Sequence, residues 1–451
     1  MRLSAPIAVI AAAAMLSSCG AAGRVASAIN PFDNPPPAAT APQEGRVSIL
    51  TFEQALAPDP ALAARTIVVP APSPNTDWTQ PGGAVDNAPV NLAGSGELNI
   101  AQRFNLGAGS SGRVRIAAPP VIANGRIYFI DGEHEVHAFD AASGRSIWSR
   151  RLRPEESRDR VALGGGLAFG DGRIYATTGF GFAVALNADT GEEIWRTQAG
   201  APFHAAPTTA GGRVYAVTND SELVAFNGAD GVVAWTHQAI AEPARILAAS
   251  SPGVSGDTVV APFASGEVVS LLAANGRRLW VDALTRAGRL TSLSSINDVA
   301  GRPVIVNGVI YAASHSGVLA AIDLRTGQRV WSRSFASTQT PWVAGDVLYA
   351  VTIDGELAAF DRATGAAYWV RQLRRFEDEE DRRGRIAWTG PIMWGGRLIL
   401  ANSIGEVVSV NPVNGEPVAT RDVDQAVFIP PVAANGALYI VTDSARLIEM
   451  R

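Results

Sequence analysis

Short apolar runs separated by Gly-containing turns dominate the hydrophobic pattern of this chain, and they predict strands. Eight segments share a short first strand, a turn with Gly and a second strand; they begin near Pro119, Gly165, Pro207, Pro252, Pro303, Pro341, Pro391 and Pro430. A third strand is apolar at nearly every position over 136–139, 183–186, 223–226, 319–322 and 357–360. Strands without polar alternation have both faces buried. The pattern therefore predicts an all-β protein of repeated four-stranded units.

A Gly followed four residues later by a Trp marks the outer strand of six units. The pairs are Gly144 with Trp148, Gly191 with Trp195, Gly231 with Trp235, Gly276 with Trp280, Gly327 with Trp331 and Gly365 with Trp369. Gly415 with Ala419 is a seventh copy without the Trp. Successive Trp residues lie 38 to 51 positions apart, which is the size of a propeller blade. We expect each Trp to pack between blades on a small third-strand residue; these are Ala138, Ala185, Ala225, Ala321 and Ala359.

The last unit has only three strands, over 430–434, 437–441 and 446–450, and the sequence then stops. An open blade would leave unpaired edges, and the spare strand-like segment is 97–106. We therefore predict an eight-bladed β-propeller of four-stranded antiparallel blades, closed by pairing of the N- and C-terminal strands. Seven blades with a frayed terminus is the alternative.

The N-terminus indicates export. Arg2 precedes an apolar run over 5–16, which is too short for a transmembrane helix and has the length of a signal-peptide core. The following Leu16-Ser17-Ser18-Cys19-Gly20 resembles a bacterial lipobox, and Cys19 is the only cysteine. We predict a signal peptide over 1–18, a lipidated Pro/Ala-rich tether over 19–96 and the propeller over 97–451. An ordinary signal peptide is the alternative.

Composition and charge narrow the function. Hydrophobic residues make up 47% of the chain, charged residues 18%, and the net charge is −5, as in a globular protein. Without a basic patch we expect no nucleic-acid partner. Acyl chains on Cys19 would anchor the protein stably. Because Gly rather than Asp follows Cys19, which resembles lipoproteins sent to the outer membrane, we expect the periplasmic face of that membrane.

Signals for catalysis are weak. The five His residues (His134, His137, His204, His237 and His315) are scattered, and His134 and His137 fall on opposite faces of a strand. Asp140, Asp189, Asp323 and Asp361 recur in the same turn of several blades, which favours turn capping. We therefore predict no catalytic residues, no metal site and no cofactor.

Three connections between blades are unusually long. The charged segment 371–385 has the composition of a solvated loop or a short salt-bridged helix, and it could also be a contact surface. Segments 239–251 and 284–302 carry more apolar residues than solvated loops need, among them Leu290 and Leu293. Such loops indicate protein contacts, and the alternative is that they fold over the central channel.

Two stretches carry a resemblance, "GRIYATTGFGFAVALNADTGEEIW" and "GVIYAASHSGVLAAIDLRTGQRVW". They resemble the quinoprotein-type propeller repeat. With the lipobox and "NTDWTQPGGA", the sequence is similar to the BamB family, lipoprotein subunits of the β-barrel assembly machinery. The resemblance implies a non-catalytic scaffold that binds the barrel-inserting subunit and aids outer-membrane protein insertion, with nascent outer-membrane proteins as further partners. It places partner contacts at Arg245, Ile246, Leu247 and Asp298.

Two other functions remain open. A quinone-dependent dehydrogenase shares the repeat but would need a Ca²⁺ site with oxygen ligands and, commonly, a disulfide of adjacent cysteines. A glycan- or peptidoglycan-binding lipoprotein would need an axial pocket lined by aromatic residues, for which Trp342, Trp388 and Trp394 are the candidates.

Overall fold

The computed structural model describes residues 56–112, 114–154, 162–242, 250–285 and 296–451. In these ranges the fold consists of eight four-stranded antiparallel sheets, one two-stranded hairpin and a single 3₁₀ turn, Pro60–Leu62. No helix of the described ranges is long and apolar enough to cross a bilayer. The predicted eight-bladed propeller is confirmed.

Each blade takes four strands, and the first strand lies innermost. Blade 1 contains β2 (Val121–Ala123), β3 (Arg126–Ile130), β4 (Glu135–Asp140) and β5 (Ser146–Arg151). Blade 2 contains β6 (Gly165–Gly170), β7 (Arg173–Thr178), β8 (Phe182–Asn187) and β9 (Glu193–Gln198). Blade 3 contains β10 (Thr208–Ala210), β11 (Arg213–Val217), β12 (Glu222–Asn227) and β13 (Val233–Gln238). Blade 4 contains β14 (Gly253–Ser255), β15 (Thr258–Pro262), β16 (Glu267–Leu272) and β17 (Arg278–Ala283).

The second half of the chain repeats this arrangement. Blade 5 contains β18 (Val304–Val306), β19 (Val309–Ala313), β20 (Val318–Asp323) and β21 (Arg329–Ser334). Blade 6 contains β22 (Trp342–Ala344), β23 (Val347–Val351), β24 (Glu356–Asp361) and β25 (Ala367–Gln372). Blade 7 contains β28 (Trp388–Trp394), β29 (Arg397–Asn402), β30 (Glu406–Val410) and β31 (Pro417–Asp422). Blade 8 joins β32 (Val432–Ala434), β33 (Ala437–Val441) and β34 (Arg446–Met450) to β1 (Ile100–Asn105).

Closure of the ring joins the two ends of the folded chain. Strand β1 pairs antiparallel with β34, with Arg103 opposite Ile448 and Asn105 opposite Arg446. The order β1-β34-β33-β32 gives blade 8 its fourth strand. The seven-bladed alternative is therefore wrong.

The charged segment 371–385 is neither a loop nor a helix along its whole length. It contains a hairpin of β26 (Phe376–Asp378) and β27 (Arg383–Arg385). Arg375 and Arg385 both pair with Asp354, at 3.3 and 2.5 Å. Of the two predicted alternatives the short helix does not form. The segment is a largely exposed hairpin, and Arg375 and Arg385 reach out of it to Asp354 in the turn between β23 and β24 of blade 6.

The antiparallel order gives the ring two unlike ends. The turn face carries the turns between the first and second and between the third and fourth strands of each blade. The connector face carries the middle hairpins and the connections between blades. The described ends of the two long connections, 239–242 with 250–251 and 284–285 with 296–302, lie on the connector face.

The chain before β1 covers the turn-face end of the central channel. Residues 75–92, called here the circuit segment, bond to the inner part of every blade in turn. Six backbone carbonyls of the segment accept N–H groups of the blades at 2.7 to 2.9 Å. The pairs, acceptor first, are Asn75 with Asn435, Trp78 with Ile122, Thr79 with Phe169, Val85 with Val254, Asp86 with Ile305 and Leu92 with Gly395. Side chains complete the circuit, since Gln80 accepts from Thr209 N–H and the Trp342 indole donates to Val90. The circuit segment thus lies across the turn-face end of the channel and contacts all eight blades.

Candidate functional site

The six repeated Trp residues lock each blade to the next one. The indole Nε1 of each donates, at 2.8 to 3.0 Å, to a carbonyl in the turn between the third and fourth strands of the following blade. The pairs are Trp148 with Ala188, Trp195 with Gly228, Trp235 with Ala273, Trp280 with Leu324, Trp331 with Arg362 and Trp369 with Pro412. This bond satisfies the one polar group of a largely apolar ring.

The seat for each indole is a Gly of the next blade. A Cβ built on Gly191 would lie 2.6 Å from the Trp148 ring, and one on Gly231 would lie 2.5 Å from the Trp195 ring. Both glycines have φ near +73°, a region that favours Gly in any case. The small third-strand residues expected beside the Trp residues lie within the same blade as each Trp, and the Gly is the contact made by the next blade. Ala138 lies directly opposite Trp148 within the same sheet, because the register is set inside the blade.

The closing blade uses Gln in place of Trp, which sequence reasoning missed. Gln102 lies opposite Glu449 in the β1–β34 register, the position that corresponds to Trp opposite Ala elsewhere. Its Nε2 donates to Ala141 O of blade 1 at 3.3 Å, the acceptor equivalent to the carbonyls that receive Trp Nε1. The missing G-x-x-x-W spacing hid this residue, because the third and fourth strands of blade 8 come from opposite ends of the chain.

The turn-capping prediction holds for three of its four residues. Asp140, Asp323 and Asp361 accept the backbone N–H of Ser143, Thr326 and Thr364 at 2.7 to 2.9 Å. In blade 2 the capping residue is Asn187, which accepts the N–H groups of Asp189 and Thr190. The prediction for Asp189 was wrong, because it lies two positions later and pairs with Arg126 of the previous blade.

The connector-face end of the channel holds a cavity of about 420 Å³. Its lining comes from the connections into blades 1, 5, 6 and 8 and includes Arg115, Ile116, Arg302, Gln339 and Phe428. A second, much smaller cavity of about 30 Å³ lies beside the circuit segment and includes Trp78, Asn87 and Arg302 in its lining. Arg302 and Gln339 line both cavities, so they stand between the covered end and the connector-face end.

The predicted partner contacts are only partly within the described ranges. Five of the loop residues lie outside the described residues: Arg245, Ile246, Leu247, Leu290 and Leu293. The predicted lipidation site, Cys19, lies outside them as well. Asp298 is described and 6% exposed, and its carbonyl accepts His315 N–H at 2.9 Å. With so little exposed surface, Asp298 can contribute to a contact mainly by shaping its connection.

The five His residues do not form a common site in the described structure. His134 is buried, lies in the turn before β4 and contacts Gly164 O at 3.1 Å. Burial lowers the pKa of His134. His137 is 3.1 Å from the buried carboxylate of Asp131. Among the described residues no group of three or more His, Cys, Asp or Glu could hold a metal ion.

The three Trp residues considered for glycan binding are buried in the core. Trp342, Trp388 and Trp394 are 5%, 8% and 0% exposed. Two of them bond to the chain itself, with Trp342 Nε1 donating to Val90 O and Trp388 Nε1 to Arg374 O, both at 2.8 Å. Glycan rings stack on exposed aromatic faces, and these three residues do not offer one.

Comparison with known proteins assigns the ring to a family. The family model described as outer membrane protein assembly factor BamB matches residues 132–371. BamB of Escherichia coli K12 is 32% identical over 325 residues, covering 71% of this chain and 81% of that protein. The chain belongs to the BamB family. Another member, from Xanthomonas campestris, is 35% identical over 254 residues, which cover 55% of this chain and 62% of the relative.

Solved structures extend the likeness at the level of the fold. BamB from Moraxella catarrhalis matches with a TM-score of 0.67 at 19% identity, over 79% of this chain and all of the other. A europium-containing methanol dehydrogenase matches with a TM-score of 0.65 at 13% identity, over 81% of this chain and 89% of the enzyme. The BamB family thus shares its ring with quinoprotein enzymes, and the ring alone does not decide the function.

Proposed function

We propose that this chain is a non-catalytic periplasmic scaffold in outer-membrane protein assembly. Membership of the BamB family over most of the chain carries the proposal. The contacts of the ring support a rigid platform, because blade is locked to blade by indole bonds and the two chain ends are paired. Such a platform can hold a partner in a fixed orientation without taking part in chemistry.

The partner in this proposal is the barrel-inserting subunit, and the connector face receives it. The circuit segment already covers the turn-face end of the channel, whereas the described ends of the long connections lie on the opposite face. Arg245, Ile246 and Leu247 are proposed as contacts on one connection, and the loop of Asp298 on the next. Incoming outer-membrane proteins are further proposed partners, through exposed edges of the outer strands.

The anchor in this proposal is lipid on Cys19, which holds the chain at the periplasmic side of the outer membrane. A Cys19→Ala variant is expected in the soluble periplasmic fraction after cell breakage, while the wild-type chain sediments with outer membranes. Sedimentation of the variant with membranes would contradict the anchor and leave the partner proposal intact.

Affinity isolation from detergent-solubilised outer membranes tests the scaffold itself. The wild-type chain should recover the barrel-inserting subunit, and Arg245→Ala/Ile246→Ala/Leu247→Ala should recover at least about tenfold less, the effect of losing roughly 1.4 kcal/mol of binding. Val232→Ala/Val233→Ala is the matched control, because these residues are 62% and 42% exposed in blade 3 near the turn face. Recovery unaffected by the triple change would remove the connector-face contact, and no recovery by the wild type would end the scaffold proposal.

A quinone-dependent dehydrogenase is the second candidate, favoured by the fold match to methanol dehydrogenase. The residues at the axis do not fit the required Ca²⁺ and quinone. Ca²⁺ takes six to eight oxygen ligands, several of them carboxylates, while Asp443 is the single carboxylate residue that lines the described axial cavities.

A further inference from the structure

Arg302 is a buried cation at the centre of the ring that has no ion-pair partner among the described residues. It lies in the connection into blade 5 and is 9% exposed. Its Nε is buried without a hydrogen-bond acceptor, and in the described chain Arg302 forms no ion pair. Its backbone N–H is held by Thr340 Oγ1 at 3.1 Å. Buried charges are normally paired, so a guanidinium that faces a cavity and has no partner in the described ranges favours a counter-ion bound in that cavity.

The guanidinium keeps its charge in this position. Burial lowers the pKa of Arg302 to about 10, which is still far above neutral pH. The other cation on the same cavity, Arg115, is different, because it is exposed and lies 3.7 Å from Asp443. Arg302 is therefore the one cation of this cavity lining that has no carboxylate beside it.

The volume and the other lining residues of the cavity indicate the size and polarity of the ligand that it can accept. The cavity of about 420 Å³ falls within the range of small-molecule sites. Ile116, Ile429 and Phe428 supply apolar surface, and Phe428 is 48% exposed. Thr338, Gln339 and Thr340 place hydroxyl and amide groups in the lining beside Arg302.

We propose that Arg302 anchors a binding site for one carboxylate carried on an apolar group, at the connector-face end of the axial channel. One planar guanidinium binds one carboxylate through two parallel hydrogen bonds. A phosphate dianion would need further cations, and the nearby Arg115 is already paired. The apolar wall receives the body of the ligand. This site is independent of the scaffold proposal.

Calorimetric titration of the full-length chain in detergent tests the charge requirement. The probes are 3-phenylpropionate, its neutral amide, and acetate. The acid should bind at least about tenfold more tightly than the amide because of the charge-assisted pair, and more tightly than acetate because of the apolar body. Equal binding of acid and amide would overturn the proposal.

Two variants locate the anion. Arg302→Gln should reduce binding of 3-phenylpropionate to the level of the amide, whereas Arg115→Gln, on the same cavity, should change it less than about threefold. The thermal midpoint of Arg302→Gln should not fall, because the change removes an unpaired buried charge. Unchanged acid binding by Arg302→Gln overturns the site. If Arg302→Gln fails to fold, Arg302→Lys takes its place. This variant keeps the positive charge but cannot form the two parallel hydrogen bonds of a guanidinium, so it should still bind the acid more tightly than the amide, with a smaller ratio than the wild type.

Titration with peptides distinguishes a carboxylate of a partner protein from that of a small molecule. Acetyl-Phe-Glu-Phe-amide and its Gln counterpart carry or lack one side-chain carboxylate between apolar rings. Tighter binding of the Glu peptide than of 3-phenylpropionate assigns the site to an acidic side chain of a partner protein, and the reverse order assigns it to a small molecule. If neither acid binds better than its neutral counterpart, the site does not exist as proposed.

Discussion

At the residue scale, the repeated Gly and Trp belong to two different contacts. From blade 2 to blade 7 each Gly contacts the Trp of the preceding blade, so Gly415 receives Trp369 although its own blade has Ala419, while Gly144 of blade 1 faces Phe104 of blade 8. Blade 7 has no use for a Trp, because blade 8 lacks a covalent turn between its third and fourth strands and offers no Gly seat. The seventh copy therefore keeps the Gly that contacts Trp369 and lacks only a Trp that would have no Gly to pack on.

Removal of one indole should cost stability through a cavity and a lost hydrogen bond. Trp195 is 8% exposed and bonds to Gly228 O at 2.9 Å. Trp195→Ala should lower the free energy of unfolding by about 3 to 5 kcal/mol, and Trp195→Phe, which keeps a ring, by a smaller amount. Urea unfolding measures both. The exposed Val232→Ala control should change it by less than about 0.5 kcal/mol, and an unchanged midpoint for Trp195→Ala would contradict the locking role.

At the element scale, the circuit segment depends on polar bonds rather than on a pattern. Asn87 is 3% exposed, has φ of 57° and donates from Nδ2 to Pro303 O at 3.0 Å. It thus connects the circuit segment to the entry of blade 5. The segment has no apolar periodicity, although Trp78 and Leu92 are buried in the core. Its remaining contacts are bonds to carbonyl and amide groups that the inner strands leave unpaired.

Asn87→Ala should weaken the whole circuit segment. The change leaves the Pro303 carbonyl without this donor and places Ala at positive φ, which together should cost about 1 to 3 kcal/mol. Urea unfolding measures the loss, and hydrogen exchange at the amides of Val254 and Ile305, which donate to Val85 and Asp86, should become faster. The exposed Gln328→Ala is the control, and unchanged exchange in Asn87→Ala would show that the segment is held without this bond.

At the scale of the whole molecule, the ring is one cooperative unit because its ends close on each other. Strand β34 lies between β1 and β33, and its Leu447 and Ile448 are fully buried. A single strand therefore holds the first and last parts of the propeller together. Loss of that strand exposes two edges at once.

Deletion of Arg446–Met450 should abolish the cooperative thermal transition. The expected loss exceeds that of any single substitution, because both pairings of β34 disappear with its buried side chains. Circular dichroism and size-exclusion chromatography measure the outcome. Val418→Ala, a change at a position of β31 that is 50% exposed, should keep the wild-type midpoint, and a wild-type midpoint in the deletion variant would refute closure through β34.

Local and repeated signals were sufficient to predict the blades, their number and the pairing of the chain ends. Each blade is built from contacts near in sequence, so a repeated spacing of Gly, Trp and apolar strands reports it directly. The caps at Asp140, Asp323 and Asp361 followed from the same repetition. Residues that face a neighbour distant in sequence carried no such signal, as Gln102 illustrates.

The sequence by itself determined an eight-bladed ring, because the strands buried on both faces and the length of each blade can be recognised from residues close together in the chain. Tertiary structure alone decided where the circuit segment 75–92 runs, since its polar bonds reach strands up to 358 residues away. It also decided the state of Arg302, which in sequence is one more cation in a connection. Only the meeting of four connections around the axis buries that charge, with no partner for it in the part of the chain that the structure describes.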